Sequence, residues 1–287
     1  MNTILITGAT GNVGVEVIRH LTSMNSEIFV NAGVLDIEKA KDRFCNDKIN
    51  IVKFDFTNDS TYHTAISCCD VLFLLRPPQL TDINKYFKPV IDIAKLNVRH
   101  IIFVSVQGVD ASKWIPHHKI EKLIAESGIP YTFLRPAYFM ENFTTTLRSD
   151  LVRKKQIFLP AGQSKFTLVS VSDIGKVAAK VIMNLLDYQN RAFDLTCSEK
   201  LTFAQMASKL STGLGTHIQY QSPGLIRFYW QKRKENVPAS LILVMIMLHY
   251  LPRFQKEPVI TDCVKKITGD ESVDFGQFII NHEKLLQ

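Results

Sequence analysis

The stretch TILITGATGNVGVEVIRHL, Thr3–Leu21, is the part of this chain that most strongly indicates its fold. A short apolar run ends at Thr7, meets three glycines and continues as an amphipathic run. Gly8 permits a sharp turn from strand to helix, Gly11 lets the backbone approach a ligand, and Gly14 allows the helix to lie against the sheet. Free N–H groups and the helix dipole then face whatever sits above the turn. The stretch therefore predicts a pyrophosphate, and so a dinucleotide, at this turn.

A purely structural turn is the alternative for these glycines. The spacing is G-x-x-G-x-x-G rather than G-x-G-x-x-G, and glycine also marks ordinary turns. The context favours the dinucleotide, because the triplet follows a predicted strand and opens a predicted helix at the start of a βαβ unit.

Length and composition describe a globular protein with one large α/β domain, or with a core and an appendage. The chain has 287 residues, of which 46% are hydrophobic and 21% charged. The formal charge of +7 predicts a weak attraction to anionic ligands without requiring a nucleic-acid protein. No secretory signal is visible at the N-terminus.

The cysteines indicate free thiols in a reducing cytoplasm. There are five, which is an odd number, and they form no C-x-x-C pair and no metal-ligand spacing. We expect no metal site. The five positions are Cys45, Cys68, Cys69, Cys197 and Cys263.

The first half of the chain alternates short apolar runs with amphipathic ones, which predicts a doubly wound α/β fold with a parallel sheet, a Rossmann fold. The predicted strands are 4–7, 27–32, 49–54, 70–75, 100–105 and 129–136. The predicted helices are 12–24, 36–45, 58–67, 83–96 and 116–127.

Beyond Pro136 the rhythm is irregular. A strand or loop from Phe166 precedes a helix capped near Ser172 or Asp173, and AFDLT (192–196) reads as a further strand. We expect a Rossmann core over 1–150, with 165–197 contributing, and a smaller helix-rich part over 198–287 that serves substrate binding or interaction.

Several motifs together resemble a known family. TGATGNVG resembles the extended and atypical short-chain dehydrogenase superfamily. KIEKLIAESGIPYTFLRPAYFMENF (Lys119–Phe143), FLLRPP (Phe73–Pro78) and VSVQGV (Val104–Val109) resemble its NmrA-like branch. VKKITGDESVDFGQFIINH is similar to the C-terminal ending of that branch. The resemblance runs along nearly the whole chain and is more specific than the glycine triplet alone.

The resemblance implies NAD(P) bound across the carboxyl edge of the sheet, with substrate or regulator surfaces in the smaller part. Carried over by position, the residues implied at the pyrophosphate are Gly8, Thr10, Gly11, Asn12, Val13 and Gly14. Those implied at the adenine are Phe54, Asp55 and Phe56, and those beside the ribose and phosphates are Leu74, Leu75 and Arg76. Ser105 and Val106 would lie near the nicotinamide, and that end of the site would be closed by Pro136, Tyr138 and Phe139.

The choice between NAD and NADP stays open. Many members of this family carry an arginine after the second strand, where it pairs with the 2′-phosphate of NADP, and that position aligns with Leu35. Asp36 follows, about twenty residues beyond the glycine loop, where a carboxylate accepts from a free ribose 2′-OH. These residues favour NAD, the family resemblance favours NADP, and Lys39, Lys41 and Arg43 offer charge nearby.

The catalytic residues are also open. Dehydrogenases of the superfamily use a Tyr-x-x-x-Lys pair, and no tyrosine here is followed by lysine four positions later. His117, His118 and Lys119 are the available acid–base candidates, the first aligning with a lysine of some NmrA-like reductases. A solvated surface is the alternative explanation for this run, since only geometry decides between them.

Two late stretches have structural explanations. The apolar segment 239–251 is short of the ~20 residues that span a bilayer, so we expect a buried helix, or one that lines a pocket or a subunit interface. The segment 226–238 interleaves aromatic and basic residues, and a helix with an aromatic packing face and a charged face explains it more simply than nucleic-acid contact.

Two functions follow. The first is an NAD(P)H-dependent oxidoreductase that reduces a small apolar carbonyl compound, such as an aldehyde, or a quinone, since the late segments are rich in aromatic residues and methionine. The second is an NAD(P) redox-sensing regulator without turnover, consistent with the absent Tyr-x-x-x-Lys. We expect a cytoplasmic protein without nucleic-acid or membrane partners, and a homodimer is an open possibility.

Overall fold

The computed structural model describes residues 2–24, 27–44, 46–111 and 113–287. Cys45, and with it the end of the helix predicted over 36–45, lies outside these residues. Within them, strands β1 to β12 are Asn2–Thr7, Ile28–Val34, Ile49–Lys53, Val71–Leu75, His100–Val104, Tyr131–Pro136, Tyr138–Phe139, Gln156–Phe158, Lys165–Val169, Arg191–Leu195, Lys200–Thr202 and Gln219–Gln221.

The helices run between and after these strands. In chain order, α1 to α15 are Asn12–Ser23, Ile37–Lys41, Tyr62–Ile66, Ile83–Tyr86, Lys88–Asn97, Pro116–Ala125, Arg148–Lys154, Val171–Met183, Leu185–Tyr188, Phe203–Leu214, Leu225–Lys234, Ala239–Tyr250, Cys263–Thr268, Phe275–Asn281 and Glu283–Leu286. Short 3-10 turns at Met140–Phe143 and Leu251–Phe254 complete the late segments.

A seven-stranded sheet forms the centre of the fold. Its strand order is β10-β6-β5-β4-β1-β2-β3, and every neighbouring pair is parallel. This confirms the predicted doubly wound Rossmann sheet. The order reverses between β1 and β4, and ligands of such sheets bind outside the carboxyl ends of the strands at that reversal.

The chain divides into two compact units. Unit 1 comprises residues 2–136, 171–195 and 263–270 and contains the whole seven-stranded sheet. Unit 2 comprises residues 137–170, 196–262 and 271–287. Each unit has its own apolar core.

Helices α1 and α8 of unit 1 lie in close contact. A Cβ atom on Gly175 of α8 would lie 2.8 Å from the backbone carbon of Glu16 in α1, so only glycine allows these helices to approach as they do. Helix α8 begins at Val171, so Ser172 and Asp173, which were predicted near its cap, lie within its first turn instead.

Unit 2 combines two small sheets with helices. Strand β9 pairs in parallel with β7 and antiparallel with β11, and β8 pairs in parallel with β12. Helix α10 begins with a capping box, in which the Thr202 hydroxyl accepts from Gln205 N and the Gln205 side chain accepts from Thr202 N. It ends at Gly215, whose φ is +62°, as the glycines of that segment predict.

The described helices include none that is long and apolar enough to cross a membrane. Helix α12, which covers the apolar segment, has 12 residues. Its inner face, formed by Ile242, Met245 and His249, is buried in unit 2, while its outer face is exposed.

Candidate functional site

The glycine loop joins β1 to α1 and has the backbone conformation that its sequence predicts. Gly8 has a φ of +60°, which other residues adopt only with strain, and Gly11 N donates to Gly8 O at 2.9 Å. A Cβ on Gly14 would lie 2.5 Å from Gly8 O and 2.7 Å from the Cα of Ala9. The loop therefore lies directly on the first turn of the helix.

The start of α1 offers backbone donors. Its N-cap is Gly11, no side chain caps the helix, and the first turn carries no acidic residue. Thr10, Gly11 and Asn12 are exposed, whereas the Val13 side chain is buried. The N–H groups of this turn and the positive end of the helix dipole are thus open to an anion.

Thr7 fixes this loop at the reversal of strand order. Its hydroxyl accepts from Leu75 N at 2.8 Å and lies 3.3 Å from the Phe73 carbonyl oxygen, so it joins the ends of β1 and β4. Thr7 was not among the site residues predicted from the sequence. Its signal was a polar residue closing an otherwise apolar strand.

The end of β2 carries the predicted ribose-binding residues. Leu35 is 64% exposed, and Lys53 Nζ donates to its carbonyl oxygen. Asp36 is the N-cap of α2: its Oδ1 accepts from Lys39 N at 3.3 Å, and its Oδ2 lies 3.3 Å from Lys39 Nζ. The hydrogen bond from Lys39 N lowers the pKa of Asp36. This carboxylate is therefore already engaged by α2.

The end of β3 presents backbone and one carboxylate rather than aromatic faces. The rings of Phe54 and Phe56 are buried and meet edge to face, with centroids 4.9 Å apart. Asp55 Oδ1 accepts from Thr57 N at 2.8 Å and from Thr57 Oγ1 at 2.7 Å. Of the predicted adenine residues, only Asp55 has its side chain outside the core.

Arg76 shapes the loop after β4. Leu74 is buried and Leu75 lies beside Gly8. The Arg76 Nη1 atom donates to the carbonyl oxygens of Pro77, Pro78 and Leu80, at 3.2, 3.1 and 2.9 Å. One guanidinium nitrogen thus binds three carbonyl groups of this loop.

His117 lies in the first turn of α6 and accepts from Arg76. The Arg76 Nε and His117 Nε2 atoms are 3.4 Å apart. Because the guanidinium only donates, Nε2 is the acceptor and the ring proton belongs on Nδ1. Burial, with the Arg76 charge, lowers the pKa of His117 to about 3, so the ring is neutral at physiological pH.

His118 and Lys119 do not share this position. They line a cavity of about 520 Å³ between α4 and α6, with Asn84 and Lys122 among its other walls. Arg76, by contrast, is not among the residues that line it. The structure therefore separates the three acid–base candidates onto two sides of one helix.

An ion-pair network holds α6 against the sheet. Arg135 of β6 donates to both carboxylate oxygens of Glu121 at 3.0 and 2.6 Å, and to both of Asp110 at 2.6 and 3.1 Å. Glu121 is buried and lies one turn after His117. The network therefore fixes the helix turn that presents His117, a role that the sequence pattern did not indicate.

The carboxyl ends of β5 and β6 contribute the remaining unit 1 residues. Ser105 is buried, its N donates to Leu134 O at 2.7 Å, and its Oγ has no hydrogen-bond partner among the described residues. Val106 is partly buried, and Pro136 O accepts from Gln107 N at 2.9 Å. A buried hydroxyl without a partner at a strand end is a place where a ligand group completes the hydrogen bonding.

Tyr138 and Phe139 form β7 and belong to unit 2, where Tyr138 pairs with His249. The Tyr138 Oη and His249 Nε2 atoms are 3.1 Å apart, and His249 Nδ1 is 2.6 Å from Met245 O. The carbonyl fixes the proton on Nδ1, so Nε2 accepts from the tyrosine hydroxyl. Burial raises the pKa of Tyr138 and lowers that of His249 to about 4. No sequence pattern predicted this pair.

Within the described residues, no group of three or more His, Cys, Asp or Glu side chains is arranged to hold a metal ion. The predicted residues that lie together follow strand ends at one edge of the seven-stranded sheet in unit 1. They offer backbone donors at Gly11–Gly14, a shaped loop at Arg76 and a buried hydroxyl at Ser105.

Comparison with known proteins identifies a family. The model of the NmrA-like family matches residues 1–239, which is most of the chain. Curated proteins match over similar lengths.

Three of these relatives match along most of the chain. Prestalk A differentiation protein A of Dictyostelium discoideum is 27% identical over 96% of this chain and 90% of its own length. The NAD(P)H azoreductase of Xenophilus azovorans is 24% identical over 97% of both chains. Quinone oxidoreductase 2 of Escherichia coli (strain K12) is 27% identical over 83% of this chain and 84% of its own.

Solved structures share the fold. The Citrobacter sp. triphenylmethane reductase complexed with NADP(H) has a TM-score of 0.83 and 21% identity, covering 97% of this chain and 99% of that one. NmrA, a negative transcriptional regulator in complex with NADP, has a TM-score of 0.78 and 17% identity, covering 99% and 97%. A reductase and a transcriptional regulator therefore share this architecture.

Proposed function

This chain belongs to the NmrA-like family, and we propose that it is an NAD(P)H-dependent oxidoreductase that reduces a small apolar quinone or carbonyl compound. The observation that carries the proposal is the glycine loop at the reversal of strand order, between β1 and β4. Its helix begins with no side-chain cap and no acidic residue, which is the arrangement that binds a pyrophosphate.

The residues of unit 1 fit the cofactor. The pyrophosphate would lie on the N–H groups of Gly11, Asn12 and Val13, and the buried Ser105 hydroxyl would find its partner at the nicotinamide end. When bound, the reduced nicotinamide supplies a hydride, which is the chemistry that the protein itself lacks. The chain contributes binding, orientation and the exclusion of water.

The state of His117 favours a quinone over a simple carbonyl compound. His117 is neutral, and its Nε2 is occupied by Arg76, so it offers no acid at physiological pH. A quinone takes its protons from water after reduction, whereas a ketone or aldehyde needs a positioned donor. We therefore assign His117 and Arg76 to the shape of the loop after β4, and His118 and Lys119 to the surface of α6.

Relatives support the same class of substrate. An azoreductase and a quinone oxidoreductase are among the curated proteins that match this chain along most of its length. Their names describe an NAD(P)H-dependent azo reduction and a quinone oxidoreduction, which supports a quinone-type acceptor for this chain.

The first experiment is calorimetric titration of the protein with NADH, NADPH, NAD and NADP in parallel. It is followed by oxidation of the preferred reduced nucleotide in the presence of quinones, aldehydes and enones. We expect binding of at least one nucleotide and turnover with a quinone. If no nucleotide binds, the proposed cofactor site is wrong. If a nucleotide binds but no acceptor is reduced, the proposed reductase activity is wrong.

The redox-sensing regulator is the second candidate, because the chain lacks Tyr-x-x-x-Lys and NmrA shares the architecture. A sensor needs different affinities for the oxidised and reduced nucleotide, since only differential affinity shifts a population. The titration measures this difference. Equal affinities combined with quinone turnover would reject the sensor.

Three further expectations belong to the proposal. A reducing cytoplasm is consistent with Cys68, Cys69 and Cys197, which form no disulfide. A homodimer is tested by light scattering, and the expected lack of nucleic-acid binding by a mobility-shift assay.

A further inference from the structure

The outer face of α12 in unit 2 is an apolar surface without a cover. Leu243, Met247 and Leu248 are exposed on the helix, and Leu251 and Phe254 continue the surface along the following turn. Leu243 is 59% exposed and Phe254 is 72% exposed. Monomeric proteins rarely expose a contiguous apolar patch of this kind without using it.

Helix α11 extends this surface, because α11 and α12 pack against each other. Ile226 and Trp230 lie one turn apart on its exposed face, and Trp230 is 61% exposed. Only the opposite face, with Phe228 and Lys232, is buried. This differs from the predicted division into an aromatic packing face and a charged face, since tryptophan lies on the charged side.

Basic residues accompany the exposed apolar residues. On α11, Arg227, Arg233 and Lys234 share the exposed face with Trp230. Arg253 and Lys256 follow α12 and are also exposed. The segment 224–256 contains six basic residues and one acidic residue, Glu235.

The single acidic residue does not neutralise this surface. Glu235 accepts from Lys232 Nζ at 2.8 Å and is paired with Lys154. Since Lys232 is buried, the pair belongs to the interior of unit 2. Within 224–256 the exposed face therefore combines apolar side chains with positive charge, and the next acidic residue, Glu257, is paired with Lys165 and Lys200.

We propose, in place of the expectation from sequence of no membrane partner, that this face, formed by α11, α12 and the turn Leu251–Phe254, docks on an anionic lipid surface. Exposed leucines and methionine enter the boundary between headgroups and acyl chains, tryptophan lies at the headgroup level, and arginine and lysine contact the anionic headgroups. A helix of 12 residues lies in this boundary and does not cross it.

Charge decides against a second copy of the chain as the occupant. A twofold interface places the same patch on both sides, so Arg233, Lys234 and Arg253 would face their own copies without an acidic partner from this face. A purely polyanionic partner such as DNA leaves the apolar residues unused. A negatively charged membrane surface satisfies both components.

The test is co-sedimentation of the whole protein with vesicles of phosphatidylcholine, with and without phosphatidylglycerol, at low and high ionic strength. We expect binding only to the vesicles that contain phosphatidylglycerol, and weaker binding at high salt, because salt screens the attraction. Vesicle binding is measured without nucleotide or turnover. A negative result therefore contradicts membrane docking and leaves the proposed reductase activity unaffected, and the reverse also holds.

Two double variants separate the components. R233Q/K234Q removes two cations, each contributing a factor of about five near an anionic surface, so the partition coefficient should fall by at least about ten-fold. W230S/L243N removes apolar anchors and should weaken binding even at low salt.

Matched controls are K85Q/K284Q for charge and L96N/L186N for exposed apolar side chains, all outside this face. Both controls should bind as the unchanged protein does.

Three results would overturn the proposal. The first is equal binding to neutral and anionic vesicles, or binding to neither. The second is unchanged binding in both patch variants while their folding, checked by circular dichroism, is intact. The third is a dimer in light scattering that W230S/L243N converts to a monomer, which would assign the face to a second copy.

Discussion

Arg76 and His117 meet across 41 residues of sequence, with Arg76 Nε 3.4 Å from His117 Nε2. The contact joins the loop after β4 to the first turn of α6. Burial and the adjacent guanidinium together hold the pKa of His117 at about 3. His117 therefore acts here as a neutral acceptor that orients Arg76.

A neutral His117 makes nucleotide binding independent of pH near its ordinary titration range. We expect the dissociation constant of NADH, which has no 2′-phosphate to titrate, to change less than about two-fold between about pH 5 and 8. Calorimetric titration over this range checks it. An inflection near 6.5 that disappears in H117Q would show that the ring titrates and would contradict this assignment.

Gly14 requires the absence of a side chain. Since a Cβ would lie 2.5 Å from Gly8 O and 2.7 Å from the Cα of Ala9, G14A must displace the loop from the helix. We expect loss of nucleotide binding and a decrease in the free energy of unfolding of about 1–3 kcal/mol. Gly224 is the control, because a Cβ there meets nothing within 4 Å. Nucleotide affinity that survives in G14A would contradict the site.

Leu35 is where a single substitution should change the choice of cofactor. The side chain is 64% exposed, so L35R costs no packing. An arginine there gains a charge-assisted hydrogen bond to a 2′-phosphate and should raise the affinity for NADPH relative to NADH by about ten-fold. L96R, on the exposed face of α5, is the control. The same gain in both variants would indicate a nonspecific effect of charge.

His249 makes unit 2 sensitive to acid. Its pKa is lowered to about 4 by burial, whereas the unfolded value is about 6.5. The unfolded state therefore binds the proton first, and stability is lost as pH falls from about 6.5 toward 4. Between pH 7 and 5 the loss from this group is about 2 kcal/mol.

The measurement is urea unfolding at both pH values for the unchanged protein and for H249N. The variant has a lower stability at pH 7, because Tyr138 loses its acceptor, but its further loss at pH 5 should be smaller by about 2 kcal/mol. Equal losses in the two proteins would mean that folding does not lower the pKa of His249.

The ion pairs between α7 and α11 stabilise unit 2. Lys232 is buried and paired with Asp150 and Glu235. Burial alone would raise the pKa of Glu235, but hydrogen bonds from Lys154 and Lys232 outweigh it and lower this pKa to about 2. K232M leaves buried carboxylates with fewer partners and should lower the free energy of unfolding by about 3 kcal/mol.

The double variant K232M/D150L tests the physical reason for that loss. Replacing both charges with apolar groups removes the buried carboxylate of Asp150, which in K232M keeps only Lys154 as its ionic partner, so stability should recover most of the loss. Thermal and urea unfolding of the two variants measure this. A double variant as unstable as K232M would show that packing, rather than the unpaired charge, causes the effect.

Local sequence patterns were enough to predict the strands and helices of the seven-stranded sheet in unit 1. Strand and helix lengths follow from local apolar periodicity and β-branched runs, and the glycine loop follows from backbone sterics that act within a few residues. Predicted boundaries differ from the structure by a few residues; the segment 83–96, for example, forms two helices, α4 and α5.

The hydrogen-bond partners and pKa values of the side chains became apparent only from the tertiary structure. Tyr138 and His249 are 111 residues apart in sequence and 3.1 Å apart in space, and the state of His117 depends on burial beside Arg76. Likewise Asp36, expected to face a ribose, caps a helix with Lys39. Local sequence sets the backbone, because sterics are short-ranged, but a side chain acquires its hydrogen-bond partners and its pKa only from the neighbours that folding brings to it.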